Sequence, residues 1–328
     1  MHPHPGICMS LIASLVYLLV GFVLLVWSAD RLVAGASALA RNFGVSALVV
    51  GVTIVGFGTS APEMVVSALA SLEGNPSLAV GNALGSNIAN IGLILGLTCL
   101  VYPMSVERST CFREIPALAA VTALTGLLMF DGSLSRLDGA ILAGGLTLFI
   151  LVMLYRGHRE ADLDPATQAL VNEISEEMSN RAASVWTAVG LVTLPLSAQL
   201  LVSGAIGMAT ILGVSEAVIG LTIVALGTSL PELAAAMASA LRREDDLCIG
   251  NILGSNLFNL LGVLGIAALI HPMAIETLLL VRDLPVVAIT FLMLAGMAVF
   301  AGRIGRVSAG VLLATYIVYQ FAVFRQAL

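Results

Sequence analysis

Two glutamates, Glu63 and Glu232, each close the same six-residue phrase, GTSAPE at 58–63 and GTSLPE at 227–232. A hydroxyl pair precedes each carboxylate, Thr59 and Ser60 in one phrase and Thr228 and Ser229 in the other. Gly56, Thr59 and Glu63 are spaced i, i+3, i+7 and fall on one stripe of a helix, and Ala225, Thr228 and Glu232 repeat that stripe. Pro62 and Pro231 are expected inside helical segments, where each lacks a backbone donor and frees the carbonyl four residues back, on Gly58 or Gly227. A second phrase is also repeated, GNALGSNIAN at 81–90 and GNILGSNLFN at 250–259. Its Asn82, Ser86 and Asn90 lie four apart on one helical face, as do Asn251, Ser255 and Asn259. Carboxylate, hydroxyl, amide and freed carbonyl oxygens are all hard donors, so the chemistry they suit is capture of Ca²⁺ or Na⁺ rather than of a soft metal. Covalent catalysis by Ser60 or Ser229 would need a buried base. The four histidines, His2, His4, His158 and His271, all lie in ends or loops, and the chain has no lysine.

The elements that hold these residues are dictated by the solvent. Of the 328 residues 59% are hydrophobic and only 10% charged, with a mean hydropathy of +1.04. Soluble domains carry about a quarter charged residues, so this chain belongs in a bilayer. Apolar runs of spanning length fall near 10–28, 46–72, 77–102, 114–130, 137–155, 183–203, 215–241, 247–269, 284–301 and 307–324. Backbone in lipid must satisfy its own hydrogen bonds, and the runs lack the alternation of barrel strands, so the expected class is all-α and polytopic with ten transmembrane helices. Glu63 and Asn90 are equidistant from the turn EGNPS at 73–77, and Glu232 and Asn259 from RREDD at 242–246. Thirteen residues from such a turn, at 1.5 Å each, is roughly 20 Å, so both hairpins carry their polar groups to about the bilayer centre. An ionisable residue at that depth is expensive and usually functional. The cysteines Cys8, Cys99, Cys111 and Cys248 show no paired or metal-type spacing and read as small apolar residues.

Sliding the chain against itself by 169 residues superimposes GVTIVGFGTSAPE (51–63) on GLTIVALGTSLPE (220–232) with nine of thirteen identities. The same frame places Gly21 on Gly190, Pro103 on Pro272, Arg113 on Arg282 and Pro116 on Pro285. The chain is therefore an internal duplication: a first five-helix repeat at 1–156, an acidic linker at 157–182 and a second repeat at 183–328. Five is odd, so the second repeat enters the membrane inverted. Inverted repeats mark secondary transporters with a midplane site between the halves, which argues against a passive channel. All fourteen basic residues are arginines, and with the N-terminus outside eleven of them fall on inward loops against three on outward ones. The expected topology has both termini outside and the linker in the cytoplasm of a cell or inner membrane. The linker's acids lack the order of a calcium loop.

At both pairs of phrases the chain resembles the Ca²⁺/cation antiporter superfamily, the sodium/calcium exchangers and their prokaryotic relatives, over essentially its whole length. The resemblance implies that Glu63 and Glu232 coordinate calcium. It implies that Thr59, Ser60, Ser86 and Asn90, with Thr228, Ser229, Ser255 and Asn259, line flanking sodium sites, and that Gly56 and Ala225 offer backbone carbonyls. Some exchangers of this family carry an aspartate where this chain has Asn259, so only two titratable groups remain at the site. The implied function is exchange of Ca²⁺ for Na⁺ by alternating access, with no enzymatic activity and no cofactor. The alternative is a Ca²⁺/H⁺ or Na⁺-only exchanger of the same fold. The partners are Ca²⁺ and Na⁺, with H⁺ and K⁺ left open, and the lipid bilayer. No nucleic acid or obligatory protein partner is expected.

Overall fold

The computed structural model describes residues 10–161, 178–213 and 225–327. It shows an all-helical polytopic membrane protein built as two inverted five-helix repeats. Nine helices among the described residues are long and apolar enough to cross a bilayer. They are α1 (Leu11–Phe43), α2 (Ala47–Leu72), α3 (Leu78–Val101), α4 (Arg108–Leu128), α5 (Arg136–Arg156), α6 (Asn180–Ile211), α8 (Asp245–Ile270), α9 (Leu279–Ala301) and α10 (Arg306–Arg325). The remaining span is described from a single turn at Ala225–Gly227 onward, followed by α7 (Leu230–Leu241). Residues 214–224 of the span expected at 215–241, and most of the linker at 157–182, lie outside the described residues.

Helices α1 and α6 run well beyond their apolar cores of 10–28 and 183–203. The extra turns of α1, VAGASALARNF, present small side chains that let it lie flat against α6, and burial of that face carries the helix past Asp30 and Arg31. It stops where Gly44 turns left-handed, at φ 64°, and the Val45 amide reaches back to the Ala40 carbonyl. That is a Schellman stop, which glycine makes at no steric cost.

The α1–α6 pair carries the pseudo-twofold axis of the molecule. A methyl built on Gly21 would sit 2.7 Å from the Cα of Leu201, and one built on Gly190 would sit 2.7 Å from the Cα of Leu32. These residue pairs are repeat mates, so the two contacts are one contact seen twice. Ser28 and Ser197, exactly one repeat apart, face each other at 3.4 Å between hydroxyls. The only two tryptophans, Trp27 and Trp186, meet edge to face at 6.0 Å, with the Arg31 guanidinium 4.8 Å above Trp186.

Among the described residues, four two-residue strands tie the repeats together at the helix ends: β1 (Met104–Ser105), β2 (Ser133–Leu134), β3 (Met273–Ala274) and β4 (Arg303–Ile304). β1 pairs antiparallel with β4 and β2 with β3. β1 and β3 are repeat mates, as are β2 and β4, so the pseudo-twofold exchanges one ladder for the other. The loops that hold them carry no strand pattern of their own, because two-residue bridges form only once the helices bring them together.

One symmetry is broken at the surface. Arg242 pairs with Asp30 at 2.6 Å and Arg41 with Glu244 at 3.2 Å, joining the end of α1 to the α7–α8 turn. Their repeat mates are Glu73, Gln199, Thr210 and Asn75. The opposite end of the molecule therefore cannot form either pair.

Candidate functional site

The hairpins α2–α3 and α7–α8 form as their turns predict, through Gly74 at φ 73° and Arg243 at φ 59°. The two hairpins then cross each other at small residues. A methyl on Gly56 would lie 3.2 Å from Gly254, and one on Gly250 would lie 3.2 Å from Gly51. Backbone-to-backbone approach of this kind leaves no room for side chains, so the polar stripes of both repeats are pressed together at the crossing.

Glu63 and Glu232 are 1% and 2% exposed, and Thr59, Ser60, Ser86, Asn90, Ser229, Ser255 and Asn259 are buried with them. Ser60 donates to Glu232 Oε1 at 3.3 Å, a bond from the first repeat to the second. The Thr59 hydroxyl lies 3.2 Å from Asn251 Oδ1, 3.3 Å from Ser255 Oγ and 3.4 Å from the Gly56 carbonyl. Asn82, on the same face as Ser86 and Asn90, donates to Ser67 Oγ at 3.0 Å and to the Glu63 carbonyl at 3.3 Å. Thr228 is half-buried, and Ala225 opens the turn that precedes it.

The remaining polar atoms are left without partners. Both oxygens of Glu63, Oε2 of Glu232, and the amide nitrogen and oxygen of Asn90 and Asn259 are buried with no hydrogen bond. Buried polar groups are normally paired, and an unpaired one costs about 1–3 kcal/mol, more when charged. A cluster in which three of the four carboxylate oxygens and the amide oxygens of Asn90 and Asn259 lack a donor is one arranged for a cation, and its oxygen chemistry fits Ca²⁺ or Na⁺. Among the described residues no three His, Cys, Asp or Glu side chains converge, so a cation here would be held by two carboxylates and neutral oxygens.

Both amides sit where the helices widen. α3 takes π-type winding at Ala89–Leu95 and α8 at Phe258–Val263, and these stretches contain Asn90 and Asn259. Such wider turns frequently occur at functional sites, and the sequence carries no periodic signal for them.

The two glutamate phrases, alike in sequence, differ in backbone. Pro62 lies inside a continuous helix, Gly56–Leu72, as expected. Pro231 does not: the helix breaks at Thr228 and Ser229, and Pro231 falls in the first turn of α7. A proline is tolerated in a first turn because its missing amide hydrogen would have no partner there. Both phrases line a cavity of about 390 Å³ between α2 and α6, with Ala61 and Pro62 from the first, Thr228 and Pro231 from the second and Pro195 and Gln199 from α6. A related cleft of about 720 Å³ lies between α1 and α7, where Val26 and Asp30 take the places of Pro195 and Gln199. Its lining is apolar apart from Asp30 and Arg242.

Two inverted repeats that meet at a buried, cation-ready pair of carboxylates define a secondary antiporter. The sodium/calcium exchanger protein family matches residues 13–155 and 182–325, one block for each repeat. The chain belongs to that family and is a cation antiporter of the membrane. It is 45% identical over 317 residues to CaxA of Alkalimonas amylolytica, covering 96% of this chain and 99% of that one. It is 30% identical to the sodium/calcium exchanger MaX1 of Methanosarcina acetivorans, covering 94% and 97%. Among solved structures, the sodium-calcium exchanger NCX_Mj soaked with Na⁺ and Sr²⁺ superimposes with a TM-score of 0.83 at 32% identity, covering 94% of this chain and 98% of that one.

Proposed function

We propose that the protein exchanges Ca²⁺ for Na⁺ across the cell membrane by alternating access at a midplane site built around Glu63 and Glu232. The observation that carries this reading is the set of unpaired oxygens on those two side chains, buried between the hairpins. Glu63 and Glu232 coordinate Ca²⁺. Thr59, Ser60, Ser86 and Asn90, with Thr228, Ser229, Ser255 and Asn259, supply neutral oxygens for Na⁺ on either side, and the carbonyls of Gly56 and Ala225 complete the set. An empty site carries two negative charges, which are costly to carry through a conformational change in a low-dielectric interior. One Ca²⁺ or two Na⁺ neutralise it, so loaded carriers switch and empty ones stay. The inverted relation of the two repeats supports access from alternate sides, and NCX_Mj is a protein described as undergoing extracellular ion exchange and binding-site occlusion.

The test is ⁴⁵Ca²⁺ uptake into vesicles under imposed Na⁺, K⁺ or pH gradients. Uptake driven by an outward Na⁺ gradient is expected. Uptake driven by a pH gradient alone would replace Na⁺ with H⁺ as the counter-ion, and gradient-independent flux would return the reading to a channel.

The arginine distribution supports an inner-membrane topology with both termini outside and residues 157–182 facing the cytoplasm as a linker between repeats 1–156 and 183–328. A single cysteine introduced within 160–180 is expected to react with a membrane-permeant thiol reagent and to be silent toward an impermeant one in right-side-out vesicles. Cys8, which this topology places outside, is replaced by serine in the parent, and native Cys99, Cys111 and Cys248 are buried and give little background. Labelling by the impermeant reagent would invert the topology.

Asn259 bears on the counter-ion. Asn259→Asp puts a third carboxyl in place of the unpaired amide, and that group loses its charge as the pH falls. Calcium flux of the variant is expected to decline with acidification where the parent's stays flatter, measured at fixed calcium and counter-ion gradients. Superimposed pH curves would remove Asn259 from the ion path.

A further inference from the structure

The repeat mates Asn82 and Asn251 occupy the same position in the same phrase, yet they make different bonds. Asn82 donates to Ser67 Oγ at 3.0 Å and to the Glu63 carbonyl at 3.3 Å, both within its own hairpin. The residue one repeat on from Ser67 is Ala236, which has no hydroxyl. Asn251 therefore lacks that local partner. Its Nδ2 is buried without a partner, and its Oδ1 lies across the repeat interface, 3.2 Å from the Thr59 hydroxyl.

A threonine hydroxyl has one proton to give and two lone pairs to accept with. The Thr59 oxygen has three acceptors in reach: Asn251 Oδ1 at 3.2 Å, Ser255 Oγ at 3.3 Å and the Gly56 carbonyl at 3.4 Å. Ser255 carries its own proton and can donate in return, and the Gly56 carbonyl is the longest of the three. Asn251 Oδ1 can only accept from a hydroxyl, and it is fully buried, so no water competes for it. A cation ligand must present lone pairs, not a proton, to the ion. If the Thr59 proton points at the site, the same residue repels the cation it is placed to bind.

We propose that Asn251 is a positioning residue for cation binding: it accepts the Thr59 proton and thereby turns the Thr59 lone pairs, and with them the Gly56 carbonyl released from that bond, toward the ion. The inference rests on the reading of Thr59 as a sodium ligand given above. The absence of a Ser67 counterpart at Ala236 makes the device specific to one of the two flanking hydroxyls. Asn82 is bound elsewhere and leaves Thr228 without the same control, so the two sodium positions differ although their ligands match.

The test is a double-mutant cycle read in half-saturating Na⁺ for Na⁺-driven ⁴⁵Ca²⁺ flux in vesicles, using Thr59→Val, Asn251→Leu and both together. Asn251→Leu is expected to raise half-saturating Na⁺ about fivefold, the size of one lost net hydrogen bond. Maximal flux and half-saturating Ca²⁺ should change less than about twofold, a split that a merely structural lesion would not give. The double variant should be no worse than Thr59→Val alone, because Asn251 acts only through Thr59. Multiplying fold-changes in the double variant would overturn the proposal, as would unchanged Na⁺ dependence in a folded Asn251→Leu protein. An unchanged Na⁺ dependence in Thr59→Val itself would instead sink the assignment of Thr59 as a ligand, and the positioning role with it. Should the leucine variant fail to reach the membrane, Asn251→Ala, which adds no volume, is read by the same criteria. Asn82→Leu combined with Thr59→Val serves as the contrast and should multiply.

Discussion

Glu63→Gln and Glu232→Gln are each expected to lower calcium flux by about 100-fold or more while leaving the protein folded. The size follows from the surroundings. In the proposed site each carboxylate is the buried partner of Ca²⁺, and removing one member of such an opposite-charge pair costs about 3–5 kcal/mol, with each 1.4 kcal/mol a factor of ten. The fold should tolerate the change, because in the absence of an ion a neutral amide is cheaper to bury than an unpaired carboxylate. The two variants separate binding from stability when melting is followed with and without calcium. The parent is expected to gain thermal stability on adding Ca²⁺, since a ligand that binds only the native state stabilises it by mass action. Either glutamine variant should melt at the ion-free parent's temperature or above and gain nothing from calcium. Near-normal flux, or full calcium stabilisation, in either variant would place the site elsewhere.

Gly254→Ala is expected to do the opposite, destroying the fold rather than the chemistry. A methyl there would overlap the Val52 carbonyl of the other repeat and lie 2.8 Å from the Val52 Cα. Backbone cannot yield as a side-chain tip can, so the hairpins must separate. Overpacking of a tight core costs about 1–3 kcal/mol where side chains relax, and the cost here falls at the upper end or beyond. The expected result is loss of most folded protein after detergent extraction, judged by size-exclusion profile. Gly144→Ala is the matched control: nothing lies within 4 Å of its added methyl, and alanine in a helix interior gains roughly 0.5–1 kcal/mol over glycine. Equal behaviour of the two variants would mean that the hairpins do not cross at Gly254.

The parts of this architecture that were legible in the sequence are those set by composition and by short-range spacing. Ten apolar runs, two turns at matched distances from the polar residues, and a 169-residue frame were enough to predict the two hairpins that carry Glu63, Glu232, Asn90 and Asn259, all four of which are buried. The parts that were not legible depend on contacts between distant segments. The later turns of α1, beyond residue 28, contain Asp30, Arg31 and small residues, and burial against α6 keeps them helical. The interruption at Thr228 and Ser229 has no local cause, since the first phrase carries the same GTS and the same proline and stays continuous. The partner of Asn251 was hidden for a related reason: its stripe was plain in the spacing, but whether it meets Thr59 or a serine of its own hairpin turns on Ala236, fifteen residues away on another helix.

The serine pair on the axis says something about origins. In an isologous interface of two identical subunits, a contact from residue i to residue j is returned from j to i, and a residue on the axis can only meet its own copy. Gly21 with Leu201 and Leu32 with Gly190 obey the first rule, and Ser28 with Ser197 obeys the second. The α1–α6 seam is thus a homodimer interface written into a single polypeptide. A five-helix ancestor that could insert into the membrane in either direction would already have possessed this seam, with one gene product supplying both subunits. Fusion then freed each copy to diverge, and the residues that broke the symmetry, Ala236 opposite Ser67 and the charged corner of Asp30 and Arg242 opposite Gln199 and Glu73, are changes a strict homodimer could not have made on one side alone.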